Sequence, residues 1–398
     1  MLCLVIYKKI FNLMKIDFIY DCAYPFSKGG AEKRIYIYSK CLLRNIDTRI
    51  VSMKWWRGDN NAVFDGMEYL AIIPVLKLYN KNGKRRLISS LLFGLKTFIF
   101  VLESDANFID FEVFPYFPII FAKLASIFKK KKPLIIAYWS ECFGKKSWQR
   151  YAAYLWFLGL ALEKLAIWSA DIHITNSEFT KKKLSKLLNT NSQKINVIPP
   201  SGISDPQIFT SKEEVHKKYD LIYYGRLIKH KNVDKIIEAL ASLRPAHPGI
   251  RLIVIGNGPD KDSLIRQTDN LKLGNNVSFY DFIDDYNELL SKIKEAKVLV
   301  APSEREGFGI SIIEANACGL PAIVMDFPDN ASKELIIEGE NGFVCRNDND
   351  LIQKIEYLCY EANYIKISRK SLEAASKYDM ALIENQIREI YLNVSGNC

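Results

Sequence analysis

One stretch, Val298 to Met325, constrains the fold more than any other: V-L-V-A-P-S-E-R-E-G-F-G-I-S-I-I-E-A-N-A-C-G-L-P-A-I-V-M. An apolar run ends at Ala301, and a polar turn follows with Pro302, Ser303, Gly307 and Gly309. From about Ile310 to Ala317 the residues read as a helix, stopped by Gly319 and Pro321, after which Ala322 to Met325 is apolar again. The stretch predicts a strand, a helix and a second strand.

The first joint carries chemistry. A strand feeding a glycine-containing loop and a helix start presents unpaired backbone N–H groups, and the helix dipole adds partial positive charge. The amides of roughly Phe308, Gly309, Ile310 and Ser311 therefore suit a phosphate, and glycine at 307 and 309 lets a ligand come close. Glu306 stands before the turn and Glu314 eight positions later. At about 100° per residue the two do not share a helix face, so Glu306 is assigned to the loop and Glu314 to the helix beneath it. Carboxylates beside an anion site accept sugar hydroxyls better than they bind phosphate.

The 398 residues suffice for two domains, and 49% hydrophobic with 12% aromatic content implies real cores. The eight cysteines are scattered without a C-x-x-C pair, which points to free thiols in a reducing compartment. Neither they nor the four histidines are spaced as metal ligands. The formal charge of +10 suits nucleic acid, an anionic membrane surface or phosphate-bearing substrates. No zinc-finger, RNA-recognition or helix-turn-helix pattern accompanies it, so nucleic acid is set aside. Leu87 to Leu102, with Lys96 inside it, falls short of a membrane span. Residues 1–13 make a poor signal peptide and read as a short interfacial helix or an upstream start, with Met14 as the alternative beginning.

From Lys15 onward strands alternate with helices. Expected strands are Arg49 to Ser52, Asn107 to Phe111, Leu134 to Ala137, Asp171 to Thr175 and Lys194 to Ile198, with helices at Ser147 to Ser169 and Glu178 to Leu188. Such alternation predicts a doubly wound parallel sheet with sites at the strand carboxyl ends. Gly29 and Gly30 lie in a first loop leading to a helix near Ala31. His173, inside a strand, is read as structural. The P-P-S-G-I-S-D-P segment ending at Pro206 reads as a linker, after which D-L-I-Y-Y runs into Gly225, Arg226 and Lys231. Arginine offers a planar fork and lysine a mobile point charge, a suitable pair for a diphosphate. Lys229 is the fallback cation. Gly256 sits in a G-N-G-P turn, a weak match to a dinucleotide fingerprint because its third glycine is missing.

E-G-F-G-x-x-x-x-E followed by E-A-x-A-C-G-x-P resembles the Glu-x7-Glu signature of retaining, GT-B-fold glycosyltransferases, the group 1 or family 4-like class that uses nucleotide-diphosphate sugars. The resemblance implies that Glu306 contacts the donor sugar, that the amides of Phe308 and Gly309 take the diphosphate, and that Glu314 binds the ribose. G-R-L-x-x-x-K-N from Gly225 resembles the family's diphosphate clamp, which would be Arg226 and Lys231. G-G-A-E at Gly29 and Gly30 matches its first loop, near donor phosphate and acceptor. Phe282 falls in the segment that reads the base through backbone groups, with Asp281 where a glycine is usual. W-S-E-C-F-G resembles the W-H-E-x-x-G loop, but Ser140 stands in place of the histidine; Glu141 is retained as an acceptor-side or N-capping residue.

The expectation is therefore an α/β chain of GT-B fold, two Rossmann-like doubly wound parallel-sheet domains facing a central cleft. Residues 14–203 would form the acceptor-side domain, 204–378 the nucleotide-sugar domain, and 379–398 a helix crossing back. The implied reaction is retaining glycosyl transfer to a saccharide or lipid-linked saccharide, without a metal or other cofactor, by front-side attack. It would run in the cytoplasm, with Lys84-Arg85-Arg86 and Lys129 to Lys132 beside apolar stretches suited to an anionic membrane face. Absence of the histidine at Ser140 keeps open a degenerate nucleotide-sugar-binding partner subunit, and the architecture keeps open a sugar-nucleotide epimerase.

Overall fold

Short apolar strands alternating with helices form a parallel sheet in each half of the chain. The structure, a computed structural model, describes residues 14–80, 85–189, 195–203 and 216–396. It divides into two units, 1–201 with 383–398, and 202–382. The sequence had placed the division after residue 203 and the return at 379. The segment 1–13, Lys84, Lys194 and the linker residues from Ser204 to Pro206 lie outside the described residues.

In the first unit the strands are β1 (Lys15–Ile19), β2 (Asp47–Lys54), β3 (Asn61–Phe64), β4 (Met67–Pro74), β5 (Phe108–Glu112), β6 (Leu134–Trp139), β7 (Ile172–Thr175) and β8 (Asn196–Val197). They form one sheet in the order β3-β4-β2-β1-β5-β6-β7-β8, parallel except for the β3–β4 pair. The inner strands are buried on both faces, β6 from Ile135 to Trp139 without interruption, which explains their lack of polar alternation. Helices α1 (Gly30–Leu42), α2 (Leu87–Glu103), α3 (Phe117–Ile127), α4 (Gly144–Ala152), α5 (Trp156–Ser169) and α6 (Glu178–Leu188) cover the sheet.

Two features depart from the sequence reading. β3 and β4 were not foreseen; Asp65 and Gly66 join them with φ of 51° and 76°, the positive pair a two-residue hairpin turn requires. The single helix expected over Ser147 to Ser169 is two helices separated by a 3-10 turn at Ala153–Leu155. No proline marks the break. Instead the Trp148 ring takes the space beside Gly159, where a Cβ would come within 2.3 Å of it. Glu163 on α5 accepts from Trp148 Nε1 at 3.1 Å and from the amides of Phe143 and Gly144 at 2.7 and 2.9 Å. Tertiary contact has overridden helix propensity here.

The second unit holds β9 (Tyr219–Tyr224), β10 (Leu252–Ile255), β11 (Val277–Tyr280), β12 (Ala296–Ala301), β13 (Arg305–Glu306), β14 (Ala322–Met325), β15 (Asp329–Asn330) and β16 (Gly342–Cys345). The main sheet is wholly parallel in the order β11-β10-β9-β12-β14-β16. This is the 3-2-1-4-5-6 winding of a Rossmann-like fold, reversing direction between β9 and β12. Its helices are α7 (Val233–Leu243), α8 (Lys261–Asn270), α9 (Tyr286–Lys294), α10 (Ile310–Ala317), α11 (Asp348–Cys359) and α12 (Glu361–Ala375). Apolar cores lie on both faces, one around Val254 and Ile237, the other around Ile253 and Leu299.

The last helix, α13 (Met380–Gly396), packs in the first unit from Ile383 on. There Tyr391 donates to Asp110 at 2.6 Å, and the wholly buried Arg34 lies 2.6 Å from Asp110 and 3.4 Å from Glu112. Among the described residues no helix is long and apolar enough to cross a membrane.

Candidate functional site

Where a doubly wound sheet reverses, the loops leaving the two central strands diverge and open a crevice at their carboxyl ends. In the second unit those loops follow β9 and β12, and the residues singled out above sit on them. Gly225 ends β9 with φ +148°, a conformation open to glycine. Arg226 is exposed, its carbonyl accepting from the Tyr223 hydroxyl at 3.0 Å. Lys229–Lys231 then forms a 3-10 turn.

Two hydrogen bonds tie this turn to the loop after β12: Glu304 N to His230 O at 2.8 Å and Asn232 Nδ2 to Pro302 O at 3.1 Å. Lys231 is thereby set against Glu306, with Nζ 2.5 Å from Oε2, the side chains 16% and 27% exposed. Glu306 sits in the connection between β12 and α10, outside the helix. It lies in the two-residue strand β13, paired in parallel with β15, which fixes its direction. Burial pushes its carboxyl up, but Lys231 more than offsets this and holds it below the usual carboxylate range. His230 is held down at about 4 by burial and by the neighbouring Arg305 and Lys231, so it is uncharged at neutral pH. Arg226 and Glu306 also act on His230 and on the Tyr223 phenol, so the cations and the acid share one neighbourhood.

The helix α10 starts beside them. Gly309 caps it at φ +107°, without a side-chain cap and without an acid in the first turn, so the amides of Ile310 and Ser311 present the positive end of the helix dipole. Phe308, just before, is buried with its ring 5.9 Å from Tyr378. Glu314 is buried inside α10 and accepts from the Tyr286 hydroxyl at 2.8 Å. The Tyr224 hydroxyl, bonded to Ser311 O at 2.6 Å, lies 3.5 Å from the same carboxylate. Sequence reasoning missed both tyrosines, which carry no motif, and gave no role to Asn232, although it closes the G-R-L-x-x-x-K-N pattern.

Gly256 acts differently from a fingerprint glycine. A Cβ there would sit 2.0 Å from Gly225 O, and one at Gly258 would sit 2.1 Å from Leu227 O. The two glycines let the loops after β9 and β10 lie against each other, with Leu227 N bonded to Asn257 O at 2.9 Å. Phe282, beyond β11, is half-exposed, and Asp281 beside it is paired with Lys261 at 2.6 Å.

In the first unit Gly29 is the N-cap of α1 in extended backbone and Gly30 its first residue. Ser140 follows β6; its side chain lies near enough to the Glu112 carboxylate to favour its charged form, and its carbonyl accepts from Asn176 Nδ2 at 2.7 Å. Glu141 is next, half-buried. Burial lifts Glu112 to about 7 against the opposing pull of Arg34 and Ser140. His173 accepts from Trp139 Nε1 at 3.1 Å and is pushed down to about 4 by burial, in keeping with a structural role.

The family model described as "Glycosyl transferases group 1" matches residues 204–377. A putative glycosyltransferase, EpsD of Bacillus subtilis, is 28% identical over 59% of this chain and 64% of its own length. Glycogen synthase of Mycobacterium tuberculosis is 30% identical over 46% of this chain and 44% of its own. The chain thus spans less than two thirds of these relatives. Among solved structures, sucrose-phosphate synthase of Thermosynechococcus elongatus superposes with a TM-score of 0.78 over 97% of this chain and 100% of that one, at 16% identity. HepE of Anabaena in complex with UDP-glucose gives 0.71 over 96% and 100%, at 19% identity. The fold is that of the GT-B glycosyltransferases, with two Rossmann-like units, and residues 204–377, less than half of the chain, are similar to the group 1 glycosyl transferases.

Proposed function

We propose that the protein transfers a glycosyl group, with retention, from a nucleotide-diphosphate sugar to a saccharide or lipid-linked saccharide. The observation that carries this is the Lys231–Glu306 pair beside the uncapped start of α10. A diphosphate entering there meets the Lys231 ammonium, the Arg226 guanidinium and the first-turn amides, which stabilise the negative charge that grows as the sugar–phosphate bond breaks. Glu306, kept ionised, orients the sugar hydroxyls, and Glu314 takes the ribose. These cations and amides supply the charge that a metal supplies elsewhere, and no metal is called for. With no enzymic nucleophile assigned, the leaving phosphate helps take the acceptor proton. HepE was solved with UDP-glucose, which makes uridine donors the first to try. The thiols at Cys22, Cys41, Cys142, Cys318, Cys345 and Cys359 are unpaired, in keeping with a reducing cytoplasm.

The test incubates the protein with UDP-, GDP- and ADP-sugars and a mixed acceptor extract. Free nucleoside diphosphate with a glycosylated product, lost in Lys231→Ala, is expected. Binding with no product would assign the chain to a partner subunit, and an interconverted sugar to an epimerase; either result overturns the reading.

A further inference from the structure

Helices that cover a sheet in water turn their apolar stripe inward and their charged side outward. Three helices of the first unit do otherwise. The outward side of α2 carries Leu87, Ile88, Leu91, Leu92, Leu95 and Ile99, with Lys96 and Glu103 as its exposed charges. Next to it α3 exposes Leu124 and Ile127 and ends at Phe128, 73% exposed; beyond, α5 exposes Phe157, Leu158, Leu165 and Trp168, the last 72% exposed. The three are neighbours. Gly94 lets α2 close on α3, where a Cβ would come within 2.8 Å of the Phe121 ring, and α3 packs in turn on α5. Outward aliphatic side chains spread over three adjacent helices form a patch, and large exposed apolar patches mark interaction surfaces.

The charge around the patch is predominantly positive. Lys130, Lys131 and Lys132, just beyond Phe128 and Lys129, are exposed, and Lys145, Lys146, Arg150 and Lys164 stand exposed on α4 and α5. Of the exposed acids nearby, Glu103 at the end of α2, Asp105 and Asp171, the two aspartates are already taken by Lys15 at 2.5 Å and Lys123 at 2.6 Å. A second copy of the chain meeting this face would bring two lysine-rich rims together. An anionic lipid surface would neutralise them and take up the aliphatic side chains at the same time.

We propose that this face rests on an anionic bilayer, with α2 and the exposed sides of α3 and α5 entering the boundary between headgroups and acyl chains and the lysines reaching lipid phosphates. The protein lies on the membrane without crossing it, the arrangement in which a helix with apolar contacts and flanking cations sits in the interfacial plane. Trp168 takes the amphipathic position that tryptophan favours at such boundaries. The inference stands on the first unit alone and does not depend on the transfer reaction.

The experiment floats the full-length protein with vesicles of phosphatidylcholine, with and without phosphatidylglycerol, at low ionic strength. Flotation with the anionic vesicles is expected. Leu91→Gln with Leu95→Gln should lower partitioning by about tenfold or more, from the apolar area removed. Circular dichroism and melting temperature should stay at wild-type values, and Phe128→Ser with Trp168→Ser repeats the test on the other helices. Lys130→Gln with Lys131→Gln should weaken binding to the anionic vesicles and leave the neutral ones unchanged. Wild-type protein that stays at the bottom of the gradient with anionic vesicles overturns the proposal. So does a wild-type dimer that Leu91→Gln with Leu95→Gln converts to monomers, since that result gives the face to a second copy.

Discussion

The phenol of Tyr286, at the start of α9, donates a 2.8 Å hydrogen bond to the Glu314 carboxylate inside α10, 28 positions further along the chain. The bond fixes which way a buried carboxylate points. Tyr286→Phe keeps the ring and removes the donor, at a cost to stability of about 1–2 kcal/mol. If Glu314 holds the ribose, the KM for the nucleotide sugar should rise by about tenfold with kcat little changed. A change in kcat alone would take Glu314 away from donor binding.

Lys231 faces the opposite test. Because the Lys231–Glu306 pair is partly open to solvent, Lys231→Ala should change the unfolding free energy by about 1 kcal/mol or less. Its loss from the site should lower turnover by about a hundredfold or more, the effect of removing one preorganised donor from a developing charge. Denaturant unfolding together with initial rates separates the two. A large loss of stability with normal turnover would make the pair a structural clip.

The loops after β9 and β10 give a prediction free of any assumption about substrate. Gly256 combines φ +145° with a Cβ position 2.0 Å from the Gly225 carbonyl. Gly256→Ala must move backbone as well as strain its own, and a destabilisation of about 2–4 kcal/mol is expected by chemical denaturation. Gly274, with open space at its Cβ position and no positive φ, serves as the control and should tolerate alanine within about 1 kcal/mol.

Two buried groups in the first unit titrate in opposite senses. Glu112 is raised from its ordinary 4.5 to about 7, so the stability it contributes is complete below about pH 4.5 and is lost as pH rises through 7. His173 is lowered from 6.5 to about 4, so its contribution is complete above about pH 6.5 and is lost as pH falls through 4. Between pH 4.5 and 6.5 the two slopes, each at most about 1.4 kcal/mol per pH unit, oppose each other. Glu112→Gln should therefore make the first unit more acid-sensitive across that window. His173→Phe should make it more stable as pH falls, read from urea midpoints at several pH values.

Much of the second unit was legible because its signals are local. The run ending at Ala301, the helix Ile310–Ala317 and the strand Ala322–Met325 appear in the structure as read, since glycine and proline mark their limits. The Asp65-Gly66 hairpin was equally local and was passed over. The break in the Ser147 to Ser169 run could not be read, because it is enforced by Trp148 and Glu163 from residues apart in sequence. The same holds at the candidate site: Lys231, Glu306 and Glu314 announce themselves by spacing, whereas Tyr224 and Tyr286 act only through proximity that folding creates. Gly256 shows the converse, a motif-like glycine whose close approach is to its own backbone.

Because Tyr391 on α13 completes the buried cluster of Arg34 and Asp110, the half of the molecule that leaves the ribosome first is the half that is finished last. Residues 14–201 must wait, with a buried arginine short of one of its neighbours, while the entire second unit is made. A nascent chain stalled before residue 383 should be protease-sensitive in its amino-terminal half and resistant in its newer one, the reverse of the order in which the two were synthesised.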